Sequence, residues 1–324
     1  MGAIVLFGGA GFVGTHLVPH LRTAFGDAEI IVVDKDISSV DSRTRAILAD
    51  VRRPIELDVS NVSIDAIVNL AAVHKSPGHP SQEYFEANIL GARNICAFAE
   101  KHNVPQIIFT SSIAVYGPGE DEKTEESLTM PNIPYGISKI IAEYVHREWH
   151  MRASGRKLSI IRPGVIFGKG EKGNVTRMAS AMRRGIFVYP GRKDTIKACT
   201  YVKDLCRFIV ELLEKKPDHT LHNFCFPQKL TTEDFCRAFN AVLGYSLPKG
   251  VVPLRLVNGA AGVLRVVDTP FIRSLGLDPQ RIAKLVHSTN ISSKELGRYG
   301  FTFKYDLVSA IRDWADDCGG KTLN

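Results

Sequence analysis

Ala3-Ile4-Val5-Leu6-Phe7 is an unbroken apolar run that stops at a cluster of glycines, after which Phe12, Val13, Leu17 and Leu21 recur at helical spacing. The pattern predicts a buried strand, a tight turn and an amphipathic helix. The alternation continues along the chain. Apolar runs at 28–33, 46–50, 66–70 and 106–109 predict further strands. Between them, Tyr84, Phe85, Ile89, Ile95, Phe98 and Ala99 mark one regular helix over 81–102. Pro134 opens another, at a first-turn position where proline is tolerated. Apolar strands alternating with helices predict an α/β architecture: a doubly wound parallel sheet followed by a smaller C-terminal lobe. Residues 1–165 are assigned to the sheet domain and 166–324 mostly to the lobe, with some segments returning to the sheet. Residues 117–132 are polar and acidic and predict a loop. The stretch 250–277 is strongly apolar and contains Arg255, Arg265 and Arg273. It predicts a helical lid or core of the lobe, with a helix lying on a membrane surface as the alternative.

Composition changes this picture little. With 324 residues and 44% apolar content the chain can bury a full core. The net charge of +7 suits a polyanionic small substrate, and no basic block is interleaved with aromatics, so nucleic acid is set aside as a partner. No charged-then-apolar leader and no apolar run long enough to span a bilayer occur, so a soluble cytoplasmic protein with no membrane partner is expected. Cys96, Cys199, Cys206, Cys225, Cys236 and Cys318 form no C-x-x-C pair, which predicts reduced, buried thiols and no metal site.

The glycines carry the first chemistry. Gly8, Gly11 and Gly14 fall at G-x-x-G-x-x-G spacing directly after the first strand. The first can turn without a Cβ clash, the second lets backbone approach a pyrophosphate, and the third lets helix pack on strand. The helix N-terminus then offers unpaired N–H groups to phosphate. Asp34 closes the second strand about twenty residues on, where a carboxylate accepts hydrogen bonds from an adenosine ribose. It repels a 2′-phosphate by roughly 4 kcal/mol per pair of charges ~4 Å apart at an effective dielectric constant of ~20. NAD is therefore expected over NADP, with Lys35 softening the preference. Asp50 and Val51, after the third strand, either meet an adenine ring or simply end a strand. Ala71 and Ala72, past the fourth strand, are small enough for backbone to lie against a flat ligand. His74 on the same loop reads as a cofactor or substrate contact, or as an exposed loop histidine. Asn88 is a poor helix former inside a helix; if buried it must be hydrogen-bonded, and it would tie the helix to the site strand.

Thr110, Ser111 and Ser112 close the fifth strand, and Tyr135 and Lys139 lie four apart at the start of the helix opened by Pro134, hence on one face. Tyr-x-x-x-Lys also occurs at Tyr189/Lys193 and Tyr245/Lys249, but Pro190 with Gly191, or Pro248, intervenes and forbids a regular helix there. A tyrosine of pKa ~10 becomes a base near neutrality if lowered by about three units, or ~4 kcal/mol. One ammonium ~4 Å away at a dielectric constant of ~20 supplies roughly that. Ser112 would hold a substrate hydroxyl at the phenol while Tyr135 takes its proton and the carbon's hydride passes to a nicotinamide.

GGAGFVG, Asp34, NLAAVHK, NILGARN, FTSSIAVYG, YGISK and RPGVIFG occur in this order over about half the chain. Together they resemble the extended short-chain dehydrogenase/reductases of the NAD-dependent epimerase/dehydratase family. The resemblance implies a Rossmann sheet, bound NAD and a catalytic trio of Ser112, Tyr135 and Lys139. It implies cofactor contacts from Gly8, Gly11, Phe12, Val13, Gly14, Asp34 and Lys35, then Asp50 and Val51 at adenine. Leu70, Ala71, Ala72, His74, Asn88, Thr110 and Ser111 follow along the crevice, with Arg162, Pro163 and Val165 beyond. Substrate contacts are implied for His74, Ser112, Ile113, Ala114, Asn174, Val175, Lys197, Tyr201 and Arg281, and a homodimer through the helices near 81–102 and 134–152. Ile113 and Ala114 stand where sugar dehydratases carry an acidic pair, and no cysteine stands there as in epimerase-reductases. The S-S-x-A-V-Y-G form resembles sugar 4-epimerases. A nucleotide-diphosphate sugar, UDP-linked, is the substrate implied, turned over through a 4-keto intermediate; net oxidation or reduction of a 4-keto sugar or of a lipid or steroid-like alcohol is the alternative. Lys197 replaces an arginine of the family pattern and Val165 an asparagine. The basic stretch 183–197 is expected to face the diphosphate.

Overall fold

The computed structural model describes residues 2–59, 62–75, 78–255, 286–320 and 322–323. The first apolar run forms β1 (Ala3–Phe7), fully buried, and the helical spacing after it forms α1 (Phe12–Ala24). β2 (Ile30–Asp34), β3 (Arg45–Leu48), β4 (Ile64–Asn69), β5 (Gln106–Thr110), β7 (Lys157–Pro163) and β11 (His219–Phe224) join β1 in one seven-stranded parallel sheet, in the order β11-β7-β5-β4-β1-β2-β3. The chain winds outward from β1 on one side, returns, and winds outward on the other. The reversal lies between β1 and β4, where an open parallel sheet leaves a crevice at its carboxyl edge.

Both faces of the sheet are covered, which is why its strands read as continuous apolar runs. Ile4 and Leu6 point to one core with Leu17 and Leu21 of α1 and with Leu205 and Ile209 of α6 (Val202–Lys215). Val5 and Phe7 point to the other, with Ile95 and Phe98 of α3 (Gly91–Lys101) and Ala142 and Trp149 of α4 (Pro134–Met151). Each such side chain contributes about 1.5–3 kcal/mol on burial.

The helix expected over 81–102 is not one regular helix. It is α2 (Ser81–Tyr84), a π-helical turn (Phe85–Leu90) and α3. The stretch expected as a loop at 117–132 contains β6 (Gly119–Lys123), which pairs in parallel with β13 (Thr289–Ile291). β6 is half to fully exposed and charged, so no apolar alternation marked it. Two further short pairs, β8 (Val165–Phe167) with β10 (Cys199–Tyr201) and β9 (Tyr189–Pro190) with β12 (Val251–Val252), frame the C-terminal region. With them stand α5 (Asn174–Arg183), α7 (Thr232–Leu243), α8 (Lys294–Tyr299) and α9 (Leu307–Asp317). Five of the six cysteines are buried, Cys318 is half-buried and none is joined in a disulfide. Among the described residues no helix is long and apolar enough to cross a membrane, and no cluster of metal-binding side chains occurs. Residues 256–277 of the apolar stretch, and Arg281, lie outside the described residues.

Candidate active site

Gly8 has φ +74°, and a Cβ there would stand 2.6 Å from the backbone nitrogen of Ala71. The turn after β1 and the chain leaving β4 are therefore in backbone contact at the sheet's reversal. A Cβ on Gly14 would lie 2.2 Å from the carbonyl oxygen of Gly9, so α1 can approach the turn only with glycine there. α1 starts at Phe12 behind Gly11 with no capping side chain and no acid in its first turn. Its first N–H groups, including those of Phe12 and Val13, are thus left for an anion. Asp34 accepts a 3.1 Å hydrogen bond from Ala10 N, which fixes its carboxylate beside the same turn, and Lys35 is exposed. Leu70 N donates to Phe7 O at 2.8 Å and Ala71 N to Asn69 Oδ1 at 3.1 Å. The cradle fits a dinucleotide. At its far end, Arg52 hydrogen-bonds Asp50 and holds that carboxyl below its usual range, while Asn94 Nδ2 donates to Val51 O at 2.7 Å.

Asn88 explains the π-helical turn. Its amide accepts from Val73 N at 2.9 Å and donates to Val73 O at 3.1 Å and to Ser138 Oγ at 2.8 Å. One buried side chain thus clamps the loop carrying Ala71, Ala72 and exposed His74 to the residue before Lys139. A π turn adds one residue to the helical circuit and re-aims a side chain, here Asn88.

Ser112 caps the 3-10 turn Ile113–Tyr116, its Oγ accepting from Ala114 N at 3.1 Å, and it hydrogen-bonds the Tyr135 side chain. Gly136 lets α4 close on this turn, since a Cβ there would stand 2.4 Å from Ala114 O. Lys139 is buried, donates to Thr110 O at 2.7 Å and lies 4.8 Å over the Phe109 ring. Thr110 Oγ1 in turn donates to Asn69 O at 3.0 Å. Burial lowers Lys139 to about 7, with Glu143 opposing the fall. Burial also raises the Tyr135 phenol, with the Ser112 hydrogen bond opposing. The Lys139 ammonium, expected to make this phenol acidic together with a bound nicotinamide, is hydrogen-bonded to the Thr110 carbonyl.

Beneath the trio lies a charged network that sequence reasoning missed. Glu143, one turn beyond Lys139 and 0% exposed, accepts from Ser111 Oγ at 2.6 Å and from Arg162 Nε at 2.8 Å and Nη2 at 2.7 Å. Arg162 Nη1 donates to Tyr116 Oη at 2.7 Å, and Tyr116 donates to Asn223 Oδ1 at 2.8 Å. The i, i+4 spacing from Lys139 was the signal available. Arg162 was expected at the cofactor, but its Nε, Nη1 and Nη2 are all spent inside this network; Pro163 is buried in β7, and Val165 pairs with Cys199.

The expected substrate contacts fare unevenly. Tyr201 is corrected outright: it is 0% exposed and donates its hydroxyl to Asp313 on α9. Val175, in the first turn of α5, packs in the core, and Ile113 packs with Val115, Ala198 and Cys225. Asn174 is exposed at the start of α5, but the buried Glu171 carboxylate already accepts from Thr176 N at 2.9 Å, so an acid occupies that helix end. Lys197 Nζ donates to His287 O at 2.9 Å, and burial lowers it to about 8. In the basic stretch, Arg192 pairs with Asp194 and Glu120, and Lys193 with Glu233, whereas Arg183 and Arg184 are exposed. Tyr189 and Tyr245 lie outside helices, so their Tyr-x-x-x-Lys pairs share no helical face.

Residues 4–223 match the NAD dependent epimerase/dehydratase family. The chain belongs to that family. The family member is 31% identical over 310 residues to the N-acetyl-alpha-D-glucosaminyl-diphospho-ditrans,octacis-undecaprenol 4-epimerase of Escherichia coli O157:H7, covering 95% of this chain and 92% of that one. It is 30% identical over 191 residues to a bifunctional UDP-glucose and UDP-xylose 4-epimerase of Arabidopsis thaliana, covering 53% and 54% of the two chains. In fold it is similar to the UDP-glucose 4-epimerase of Thermus thermophilus in complex with NAD, with a TM-score of 0.75 at 19% identity over 98% of this chain and 99% of that one.

Proposed function

We propose that this family member is a sugar 4-epimerase with bound NAD, acting on a hexose carried by a diphosphate. The single observation that supports the reading is the hydrogen bond of Ser112 to the Tyr135 side chain, with Lys139 one helical turn on held to Thr110 O at the carboxyl end of β5 and with Ile113 and Ala114 supplying no acid for dehydration. Gly8, Gly11, Gly14 and the start of α1 seat the pyrophosphate, Asp34 the adenosine ribose, and Ala71 and Ala72 the flat end of the dinucleotide. Ser112 holds the C4 hydroxyl and Tyr135 accepts its proton, which it returns after the 4-keto sugar has turned over. Bound NAD supplies a hydride acceptor that gives the hydride back, so no net redox change results. Lys139 brings positive charge beneath the phenol in its protonated form, which counters the upward push of burial. The cofactor domain is 1–165 and the substrate lobe mostly 166–324.

The carrier is read as UDP, in keeping with the UDP-sugar epimerases matched over half the chain. A polyprenyl carrier is the second reading, favoured because the relative matched along nearly the whole chain acts on an undecaprenol-linked sugar. Exposed Phe85, Leu90, Ile141 and Tyr144 on the π turn and α4 support a homodimer through these helices; the cytoplasm is the proposed location. Purified protein incubated with UDP-sugars and with a polyprenyl-diphospho-sugar, without added cofactor, is followed by sugar NMR. Conversion at C4 without net NADH supports the proposal; stoichiometric NADH refutes it in favour of a dehydrogenase.

A further inference from the structure

The β9–β12 corner of the C-terminal region carries features that the epimerase chemistry does not use. Ile186, Val188, Leu247 and Val251 are 54%, 42%, 49% and 46% exposed. Strand register sets the segments that carry Val188 and Val251 side by side: Val251 lies opposite Tyr189 and Val252 opposite Pro190, with Tyr189 N donating to Gly250 O at 3.3 Å. The same register, continued one residue toward the N-terminus, places Val188 beside Gly250, so two apolar chain segments run side by side at the surface. Along the two segments themselves the charges have one sign, while from α7 both Glu233 and Arg237 act on Tyr189. Residues 183–188 and 245–255 contain Arg183, Arg184, Lys249 and Arg255 and no Asp or Glu, and all four cations are exposed. A few residues on, the pattern ends: Arg192 and Lys193 are neutralised by Asp194, Glu120 and Glu233.

We propose that this corner docks the protein on an anionic lipid membrane. Clustered large aliphatic side chains ringed by exposed cations match both parts of such a surface, the acyl boundary and the headgroups. A second copy of the chain would bring the same positive charge to the same place and repel. Single-stranded nucleic acid would need aromatic platforms, and these four residues are aliphatic. From β9 the chain runs through Gly191–Ala198 into β10, which pairs with β8 directly after the strand that holds Arg162. With the epimerase reading, docking of this kind brings the protein to the surface on which a sugar on a lipid diphosphate is presented; the docking itself does not rest on that reading. The proposal departs from the expectation of no membrane partner and makes the protein a peripheral membrane protein.

The test is co-sedimentation of the full chain with vesicles of phosphatidylglycerol and phosphatidylcholine, and with phosphatidylcholine alone. Binding to the anionic vesicles only is expected, falling as salt rises. Arg183→Gln with Arg184→Gln should weaken it by roughly thirtyfold, at about fivefold per charge. Ile186→Ser with Val188→Ser should weaken it as well, and both variants should keep the melting temperature. Absence of binding, equal binding to neutral vesicles, or unchanged binding by both variants overturns the proposal. So does a wild-type dimer that Ile186→Ser with Val188→Ser converts to monomer, which would make a second copy the occupant. Vesicle binding lost in the variants, alongside a wild type inactive on any sugar, leaves the docking standing and removes the epimerase reading alone.

Discussion

Glu143→Gln is the most informative single substitution, because it acts on the catalytic face without touching it. The Glu143 carboxylate is fully buried and takes two hydrogen bonds from Arg162, whose side chain is 3% exposed. Removing the charge leaves a buried guanidinium uncompensated, at a cost of about 3–5 kcal/mol. At about 2 °C per kcal/mol for a chain of this size, the melting temperature should fall by roughly 6–10 °C. Glu143 also opposes the burial that brings Lys139 down to about 7. Without it the lysine sits lower still and is neutral over more of the working range. Epimerisation should therefore lose more, relative to wild type, at pH 8 than at pH 6. Adding Arg162→Met removes the orphaned cation while Tyr116 keeps Asn223 as its acceptor, so the double variant should recover at least half of the lost stability. Calorimetry and a pH–rate profile on the three variants decide the matter. A single variant melting within about 2 °C of wild type, or a double variant no better than the single, would refute the reasoning.

Three further outcomes are expected. Tyr135→Phe should lower epimerisation by about 10²–10⁴-fold, read by sugar NMR, with the melting temperature unchanged. Gly8→Ala forces a side chain into φ +74° with its Cβ 2.6 Å from Ala71 N, so NAD bound per chain, read by absorbance after denaturation, should fall and the melting temperature with it. His222→Phe should stabilise the protein most in acid. The His222 ring is buried with both nitrogens unpartnered, beside Phe208 and Tyr299, and burial lowers it to about 4. Between pH 6.5 and 4 the unfolded chain takes up a proton that the folded one refuses, so wild-type stability drains away by up to about 3 kcal/mol as pH falls through that window. Melting temperatures measured from pH 7 to 4 should therefore fall less steeply for the variant.

The fold was legible wherever burial on both faces wrote long apolar runs, as in β1, β2, β4 and β5. It was illegible where structure rests on backbone pairing alone, as in the exposed, charged strand Gly119–Lys123. The glycine cradle and the Tyr135/Lys139 pair were readable because each depends on spacing along one turn or one helix. Arg162 and Tyr201 misled for one shared reason. Each is a polar residue at a strand's carboxyl end, and sequence does not say whether such a residue faces the crevice or turns beneath it to Glu143 or across to Asp313. Asn88 was read as hydrogen-bonded if buried, and it is both. Nothing along the chain near it signals that the helix must take an extra residue to aim it, since that demand comes from Val73, fifteen residues away.

The sheet's last strand, β11, is drawn from residues 219–224, beyond four of the segments that build the lobe. Until the ribosome has released that strand, β7 stands as a raw edge with its amides and carbonyls open to any neighbouring chain. The cofactor half therefore cannot be finished before much of the other half exists. A truncation made at the apparent domain boundary, however well it preserves the glycine turn, would produce a sticky fragment in place of a minimal dinucleotide binder.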